Sequence, residues 1–112
     1  MDKVTFYKQK IHAFIENHAE QSKPVREGQE VYAVTDDLHG HYLMYHSSWG
    51  KSSRNYGCFL HIRIKNEKVY IEHDGTDSNF ANLLVEEGIP KEDIVLAFHP
   101  EMVRPHTGFG VC

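Results

Sequence analysis

The sequence is poor in cysteine, proline and tryptophan, and it contains no long run of apolar residues. Its 112 residues include 2 Cys, 4 Pro and 1 Trp. Cys58 lies in an apolar run and Cys112 is the last residue, so they suggest neither a disulfide framework nor a zinc site, and a reducing cytoplasm is expected. No stretch approaches the ~18 apolar residues of a membrane helix, and Met1 leads into polar sequence without a signal-peptide pattern.

Positive charge is also scarce. The chain has 12 Lys and Arg against 16 Asp and Glu, which gives a formal charge of -4 and a pI near 6.1. Dedicated nucleic-acid-binding domains are usually basic, so the overall balance argues against that class. Apolar residues make up 40% and charged residues 25% of the chain, which predicts a single globular domain over residues 1–112.

The signatures of the common enzyme classes are missing as well. The chain has no G-x-G-x-x-G, Walker A, G-x-S-x-G or helical H-E-x-x-H motif. We therefore predict no catalytic residue, no bound metal and no cofactor. The 9 histidines keep an acid–base or metal-binding role open, and each has to be judged by its position.

Hydrophobic periodicity indicates the order of the secondary structure elements. Apolar residues recur at three- and four-residue steps in two segments and alternate in four others. The order indicates an α+β fold: an N-terminal helix, an antiparallel four-stranded meander, a second helix and an extended C-terminal segment. The predicted elements are helix 2–22, strands 29–36, 41–49, 56–65 and 68–74, helix 77–87 and a short extended or strand-like segment 94–98. Asp77 or Ser78 can cap the second helix, and Gly88 followed by Pro90 predicts its end.

The clearest predicted hairpin spans residues 56–74. If Asn66 and Glu67 form a two-residue turn, the cross-strand pairs follow from it. They are Ile64–Val69, Ile62–Ile71 and Leu60–His73 on one face, and Arg63–Tyr70, His61–Glu72 and Phe59–Asp74 on the other. Cys58 then shares the apolar face and is a buried structural thiol. Asn-Glu lacks the usual glycine of such turns, so a longer loop with a different pairing is the alternative.

We interpret the polar face of this hairpin as an interaction surface. An acid–base cluster is conceivable, but cross-strand His–Glu and Arg–Tyr pairs are typical of an ordinary exposed or partner-covered face. Residues 51–70 carry five basic residues and one acid, a net +4, whereas residues 71–112 carry two basic residues and eight acids, a net -6. Basic residues beside aromatic ones favour a protein interface, with nucleic-acid contact as the alternative. The candidate surface comprises Trp49, Lys51, Arg54, Tyr56, Phe59, His61, Arg63, Lys65, Lys68, Tyr70, Glu72 and Asp74.

A weaker polar cluster lies near the C-terminus. His99, Glu101 and His106 offer two imidazoles and a carboxylate, ligands that zinc or iron accepts, and Arg104 lies among them. Pro100 and Pro105 place these residues on irregular backbone, so we favour surface or partner-contacting histidines over a metal site.

Several long segments, taken in order, resemble one known family. The segments RNYGCFLHIRIK, HDGT, LVEEGIPKEDIVLAFHP and VRPHTGF are similar to those of the XisI-like family, the fdxN element excision controlling factors of cyanobacteria. The chain departs from the family at Ser48-Trp49, at the Asn-Glu turn and at the FGVC end. The resemblance implies a role in programmed excision of a DNA element during heterocyst development. A separate recombinase performs strand exchange there, and an XisH-like companion factor is an implied partner.

Together these observations predict a non-enzymatic accessory or controlling factor of site-specific DNA excision. It would act through protein partners, namely the companion XisH-like factor or the recombinase, and a homodimer is expected. The second hypothesis is direct DNA binding by the basic region 51–68. The third and least favoured is a metal-dependent hydrolase or nuclease that uses His61, Asp74, His99 or His106.

Overall fold

The computed structural model describes residues 2–21, 28–75 and 79–110. These ranges contain the predicted helix, strand meander, second helix and C-terminal segment. The elements are α1 (Lys3–Gln21), β1 (Glu30–Asp36), β2 (His41–Trp49), β3 (Arg54–Lys65), β4 (Lys68–Asp74), α2 (Phe80–Glu86) and β5 (Ile94–Leu96), with short 3₁₀ turns at Lys91–Asp93 and Arg104–His106. The described helices include none with the length and apolar character that a membrane crossing requires.

The strands form one sheet in the order β1-β2-β3-β4-β5. The first four are antiparallel neighbours, as the alternation predicted. The extended segment after α2 is a fifth strand, and it pairs with β4 in parallel. A parallel pair needs a crossover connection, and α2 lies in that connection. The sheet therefore has five strands rather than the four of the predicted meander.

Helix α1 forms where the sequence places apolar residues on one side of a 3.6-residue repeat. Tyr7, Ile11 and Ile15 are buried. The Asp2 carboxylate accepts a hydrogen bond from the Thr5 amide at 2.8 Å, which satisfies one of the unpaired donors of the first turn. The exposed side of the helix carries most of its lysines and glutamates. The apolar stripe predicted from the sequence is confirmed.

The core lies between the two helices and one face of the sheet. Each strand except β1 contributes at least one fully buried aliphatic or aromatic side chain to it, and β1 adds partly buried residues. Removing such side chains from water is the main favourable term in folding. The largest fully buried side chains include Tyr42, Phe80, Ile11, Ile15, Met44, Leu60, Ile62 and Ile71.

Helix α2 ends as the sequence predicted. Gly88 adopts φ +104° just after the last turn, and the Ile89 amide bonds to the Leu84 carbonyl at 3.2 Å. This is the left-handed glycine termination that non-glycine residues adopt reluctantly. At the start of the helix, the Phe80 amide donates to the Asp74 carboxylate at 3.2 Å. The predicted caps Asp77 and Ser78 lie outside the described residues.

Two β-bulges interrupt the regular alternation of β3 and β4. In the β2–β3 pair, Met44 faces Leu60 but Tyr45 faces Cys58, so Phe59 is the extra residue. In the β3–β4 pair, Ile62 faces Ile71 but His61 faces His73, so Glu72 is the extra residue. A bulge adds one residue to one strand and reverses the side-chain alternation beyond it.

The bulges correct half of the predicted hairpin register. The pairs nearest the turn, Ile64–Val69, Ile62–Ile71 and Arg63–Tyr70, are confirmed. The predicted pairs His61–Glu72, Leu60–His73 and Phe59–Asp74 are wrong, because the extra residue shifts the register: His61 pairs with His73 and Leu60 with Asp74.

The Asn66–Glu67 turn has two residues, as expected, despite the missing glycine. Both residues have positive φ, 53° and 61°. Positive φ at both central positions is the type I′ conformation, whose twist matches that of a β-hairpin. Asn tolerates this region better than most residues, whereas Glu has no such advantage.

Candidate functional site

The two faces of the sheet differ in what covers them. One face packs against α1 and α2. We call the other the open sheet face, represented by Tyr32, Val34, His41, Leu43, Tyr45, Arg54, Tyr56, Cys58, His61, Arg63 and His73. The β4–β5 end of this side is not accessible, because Tyr70 and Val95 are 5% and 0% exposed. The C-terminal segment returns to that end, where Gly110 bridges Val95. The accessible part therefore lies over β1, β2 and β3 and also includes His73 near the end of β4.

The structure separates the residues of the predicted surface into several groups. Arg54, Tyr56, His61, Arg63 and Lys65 lie on the open sheet face, and Trp49 lies at its end. Phe59 and Asp74 do not, because the bulges turn them towards the helix side: Phe59 packs against the core, and Asp74 binds the Phe80 amide. Tyr70 is on the predicted face but is buried. Glu72 remains electrostatically close to His61.

Cys58 is also on the open sheet face, contrary to the prediction of a buried thiol. The first bulge pairs it with Tyr45 rather than placing it in line with Leu60 and Ile62. Its side chain is partly exposed, and the thiol donates to the Leu60 carbonyl at 3.1 Å.

A continuous group of aromatic rings crosses β1, β2 and β3 on the open sheet face. The Tyr32 and Tyr45 rings are stacked at 5.9 Å with planes 8° apart, and Tyr56 lies 5.9 Å from Tyr45. A hydrogen bond to the Tyr56 hydroxyl raises the pKa of Tyr32. Such cross-strand aromatic pairs stabilise a sheet and leave ring surface exposed on the side away from the core.

Arg54 extends this group towards the β2–β3 turn. Its guanidinium lies 4.5 Å from the Tyr56 ring centre and 5.5 Å from that of Trp49. One of its nitrogens, Nη2, donates to the Ser47 hydroxyl at 3.1 Å. Trp49 and Tyr56 are 61% and 55% exposed. We call Trp49, Arg54 and Tyr56 the aromatic corner.

A pair of histidines occupies the middle of the open sheet face. His41 Nδ1 and His61 Nε2 are 3.2 Å apart, a distance at which one ring nitrogen donates a hydrogen bond to the other. Burial, and then the repulsion of His41, lower the pKa of His61. The charged form of His61 is therefore disfavoured on this face. Arg63, Glu72 and His73 are the other ionisable groups around it.

The basic segment 51–68 is contiguous in sequence but not in space. Lys51 and Arg54 are at one end of β3, whereas Lys65 and Lys68 flank the turn at the other end. Eleven residue steps of a strand span about 36 Å. Lys65 contacts the Tyr70 ring at 4.9 Å rather than the aromatic corner. The charge concentration predicted from sequence is therefore divided between two separate sites.

The weaker cluster near the C-terminus is held by backbone contacts. The Arg104 guanidinium donates to the carbonyls of His99, at 3.0 Å, and Ala97, at 3.3 Å. These bonds fold residues 97–104 back on themselves and explain the conformation of the segment. Over the ranges 2–21, 28–75 and 79–110, the structure brings no three His, Cys, Asp or Glu side chains into a metal-binding arrangement.

Polar contacts on the helix side fasten α1 at two points. Asp37 accepts from the Tyr42 hydroxyl at 2.7 Å and lies 3.1 Å from His12 Nδ1. At the other point, the Asp93 carboxylate accepts a hydrogen bond from the Tyr7 hydroxyl. It also forms an ion pair with Lys3, with 3.2 Å between Lys3 Nζ and Asp93 Oδ2. His12 and Asp37 also line a shallow groove beside α1. These residues are not recognisable as a set from the sequence, because they are far apart along the chain.

Sequence reasoning also missed several residues of the open sheet face, namely Tyr32, Val34, His41, Leu43 and Tyr45. The signal that could have revealed them is the alternation in β1 and β2. Ala33, Tyr42 and Met44 point to the core, so their neighbours in sequence must point the other way.

The fold and the site define a small α+β domain with a candidate interaction surface on one side of its sheet. Over residues 1–111 the chain matches the family model described as XisI protein. The chain therefore belongs to the XisI family, and the resemblance noted from its sequence segments is confirmed.

Solved structures from Anabaena variabilis agree with this assignment. A XisI-like protein is 30% identical and superimposes with a TM-score of 0.89, covering 97% of this chain and 99% of its own. The fdxN element excision controlling factor XisI is 28% identical, with a TM-score of 0.84 and coverage of 99% and 100%. No functionally curated protein matches the chain at a significant level.

Proposed function

We propose that this protein is a non-enzymatic accessory factor of site-specific DNA excision, and that it acts through a protein partner bound to the open sheet face. Family membership and the similarity to an excision controlling factor support the excision role. The partner would be the companion XisH-like factor or the recombinase that performs strand exchange. This chain would supply a binding surface rather than a reacting group.

The accessible ring and aliphatic surface over β1–β3 is the observation that carries this proposal. Val34 is 43% exposed, and Leu43 and Tyr45 are partly exposed beside it. Tyrosine, tryptophan and arginine are the residues most enriched at the energetic centres of protein interfaces. An acidic rim on the partner would complement Arg54 and Arg63 and accelerate association.

Co-purification with each purified partner tests the proposal. Val34→Glu places a charge among the apolar contacts of the open sheet face and is expected to weaken the complex at least tenfold, since buried unpaired charges are costly. Leu38→Glu is the matched control, because Leu38 is 81% exposed in the β1–β2 turn, off this face. Equal effects of the two substitutions, or no complex with either partner, would refute a docking role.

A homodimer is part of the same proposal. Within the described residues β1 pairs only with β2, and its sequence EVYAVTD has no proline, lysine or bulge to protect the outer edge. The chain mass is 13.0 kDa, so light scattering on purified protein should give twice that value. Val34→Lys, which places a charge on β1, should shift the mass to the monomer, whereas Leu38→Lys should not.

A further inference from the structure

We propose that the aromatic corner is a binding site for single-stranded nucleic acid, with Trp49 and Tyr56 stacking on bases and Arg54 contacting a phosphate. The inference goes beyond the accessory role and does not depend on any protein partner. It also narrows the hypothesis of a basic 51–68 region to one end of β3, because Lys65 and Lys68 lie at the opposite end of the strand.

The ring geometry is the first argument. Trp49 and Tyr56 are more than half exposed, and both rings contact one guanidinium, which covers part of their surface and leaves the exposed remainder for a ligand. The Tyr45 ring packs beside Tyr56, with the ring centres 5.9 Å apart and the planes tilted by 41°. Aromatic side chains on a rigid sheet are a common platform for unpaired bases, because every base has a π-face.

The charge arrangement is the second argument. Arg54 is already positioned by two rings and by the Ser47 hydroxyl, so little side-chain freedom is lost when it binds. No carboxylate among residues 2–21, 28–75 and 79–110 lies within ion-pair distance of Arg54. Lys51 lies in the adjoining turn and is exposed. A phosphate that binds Arg54 therefore displaces no ion-pair partner, and Glu30, which faces Ser47 from β1, is a carboxylate of the same neighbourhood.

The size of the corner favours single strands over duplex. The net charge of the chain is -4, and a duplex-sized surface of distributed lysines is not assembled here. One or two stacked bases with their phosphates match the dimensions of two rings and one guanidinium. An acidic peptide would satisfy Arg54 but would leave the exposed rings without a planar ligand.

Trp49 is the only tryptophan in the chain, so its fluorescence reports directly on the corner. A short oligothymidylate is titrated into the wild-type protein, and quenching of Trp49 emission is expected because the base stacks on the indole. The control ligand is an abasic oligonucleotide of equal length, which retains the phosphates and lacks the bases that would stack. With about two phosphate contacts, raising salt fourfold should reduce affinity roughly sevenfold.

Substitutions separate stacking from charge. Tyr56→Ala should reduce the affinity at least about fivefold, in line with the loss of one base stack. Arg54→Gln should reduce both the affinity and its salt dependence. Lys10→Gln is the matched control: Lys10 is an exposed cation over the Phe6 ring, 5.8 Å from its centre, on α1. Anisotropy of a labelled oligonucleotide extends the comparison to Trp49→Ala.

Each result of these experiments either supports or overturns the proposed nucleic-acid site. Preference for the base-containing oligonucleotide, with losses confined to the corner variants, supports the site. Equal binding of the abasic oligonucleotide or of polyglutamate shows a general anion site and overturns the proposal. Equal or tighter binding of duplex, or an absence of quenching at millimolar oligonucleotide and low salt, also overturns it. These experiments measure nucleic-acid binding alone, and the protein complex, to which Arg54 is also assigned, is tested separately by Val34→Glu.

Discussion

The type I′ turn at Asn66–Glu67 offers the sharpest test of the β3–β4 register. Glu67 has φ +61°, a region that costs a residue with a side chain roughly 1–2 kcal/mol relative to its preferred conformations. Glycine avoids this cost but loses about 0.5–1 kcal/mol more chain entropy on folding. Glu67→Gly should therefore stabilise the protein by about 0.5–1 kcal/mol. For a domain of this size that corresponds to a rise in Tm of roughly 2–4 °C.

Two controls isolate the backbone effect. Glu87→Gly removes the same charge at an exposed site where φ is -82°, so glycine has no conformational advantage there and should destabilise the protein by about 0.5–1 kcal/mol. Glu67→Ala removes the charge but keeps the Cβ atom, so it should show none of the glycine gain. Urea unfolding and thermal melts of all three variants give the comparison. If Glu67→Gly and Glu67→Ala were equally stable, the turn would not have the proposed conformation.

Three other predictions concern the acid stability, the histidine pair and the first bulge. The hydrogen bond from the Tyr42 hydroxyl is the main cause that holds the pKa of Asp37 below its ordinary 3.8. The ionised Asp37 carboxylate therefore stabilises the folded protein above about pH 4, and this stabilisation is lost as the pH falls through the folded-state pKa. Tyr42→Phe should cost about 1 kcal/mol in urea unfolding at neutral pH, and a loss that did not shrink at low pH would contradict this role of Asp37. NMR titration should place the pKa of His61 below 6.5, because burial and then His41 disfavour its charged form; His41→Asn should move it upwards, and no movement would exclude the contact. In a Cys112→Ser background, Cys58 should react with a thiol reagent faster than the protein unfolds, because it lies on the open sheet face. A reaction rate limited by global unfolding would show that the Cys58 side chain is buried in the core.

Local sequence rules predicted most of the secondary structure, because the relevant signals are short-range. The stripe of Tyr7, Ile11 and Ile15 specified α1, and Gly88 followed by Pro90 specified the end of α2. The three pairs next to the hairpin turn also followed from simple alternation. These features depend on residues within a few positions of each other.

The candidate site was only partly predictable. The bulges at Phe59 and Glu72 depend on how three strands and a helix fit together, and no local signal marks them. They moved Asp74 to the start of α2 and brought His73 opposite His61. The burial of Tyr70 likewise depends on the path of the chain near Gly110. Trp49, Arg54 and Tyr56 were predicted from their residue types in the basic, aromatic part of the sequence and not from strand alternation, which places Tyr56 on the same face as Leu60 when the bulge is absent.

The single extra residues at Phe59 and Glu72 have a consequence for comparing members of the family. A relative that lacks one of them would differ from this chain by one residue inside a strand, not in a loop. Beyond that position every side chain of the strand would point to the opposite face of the sheet. Two residues that are identical in an alignment could then lie on different faces in the two proteins. Surface residues should therefore be transferred between relatives only after strand lengths have been matched residue by residue.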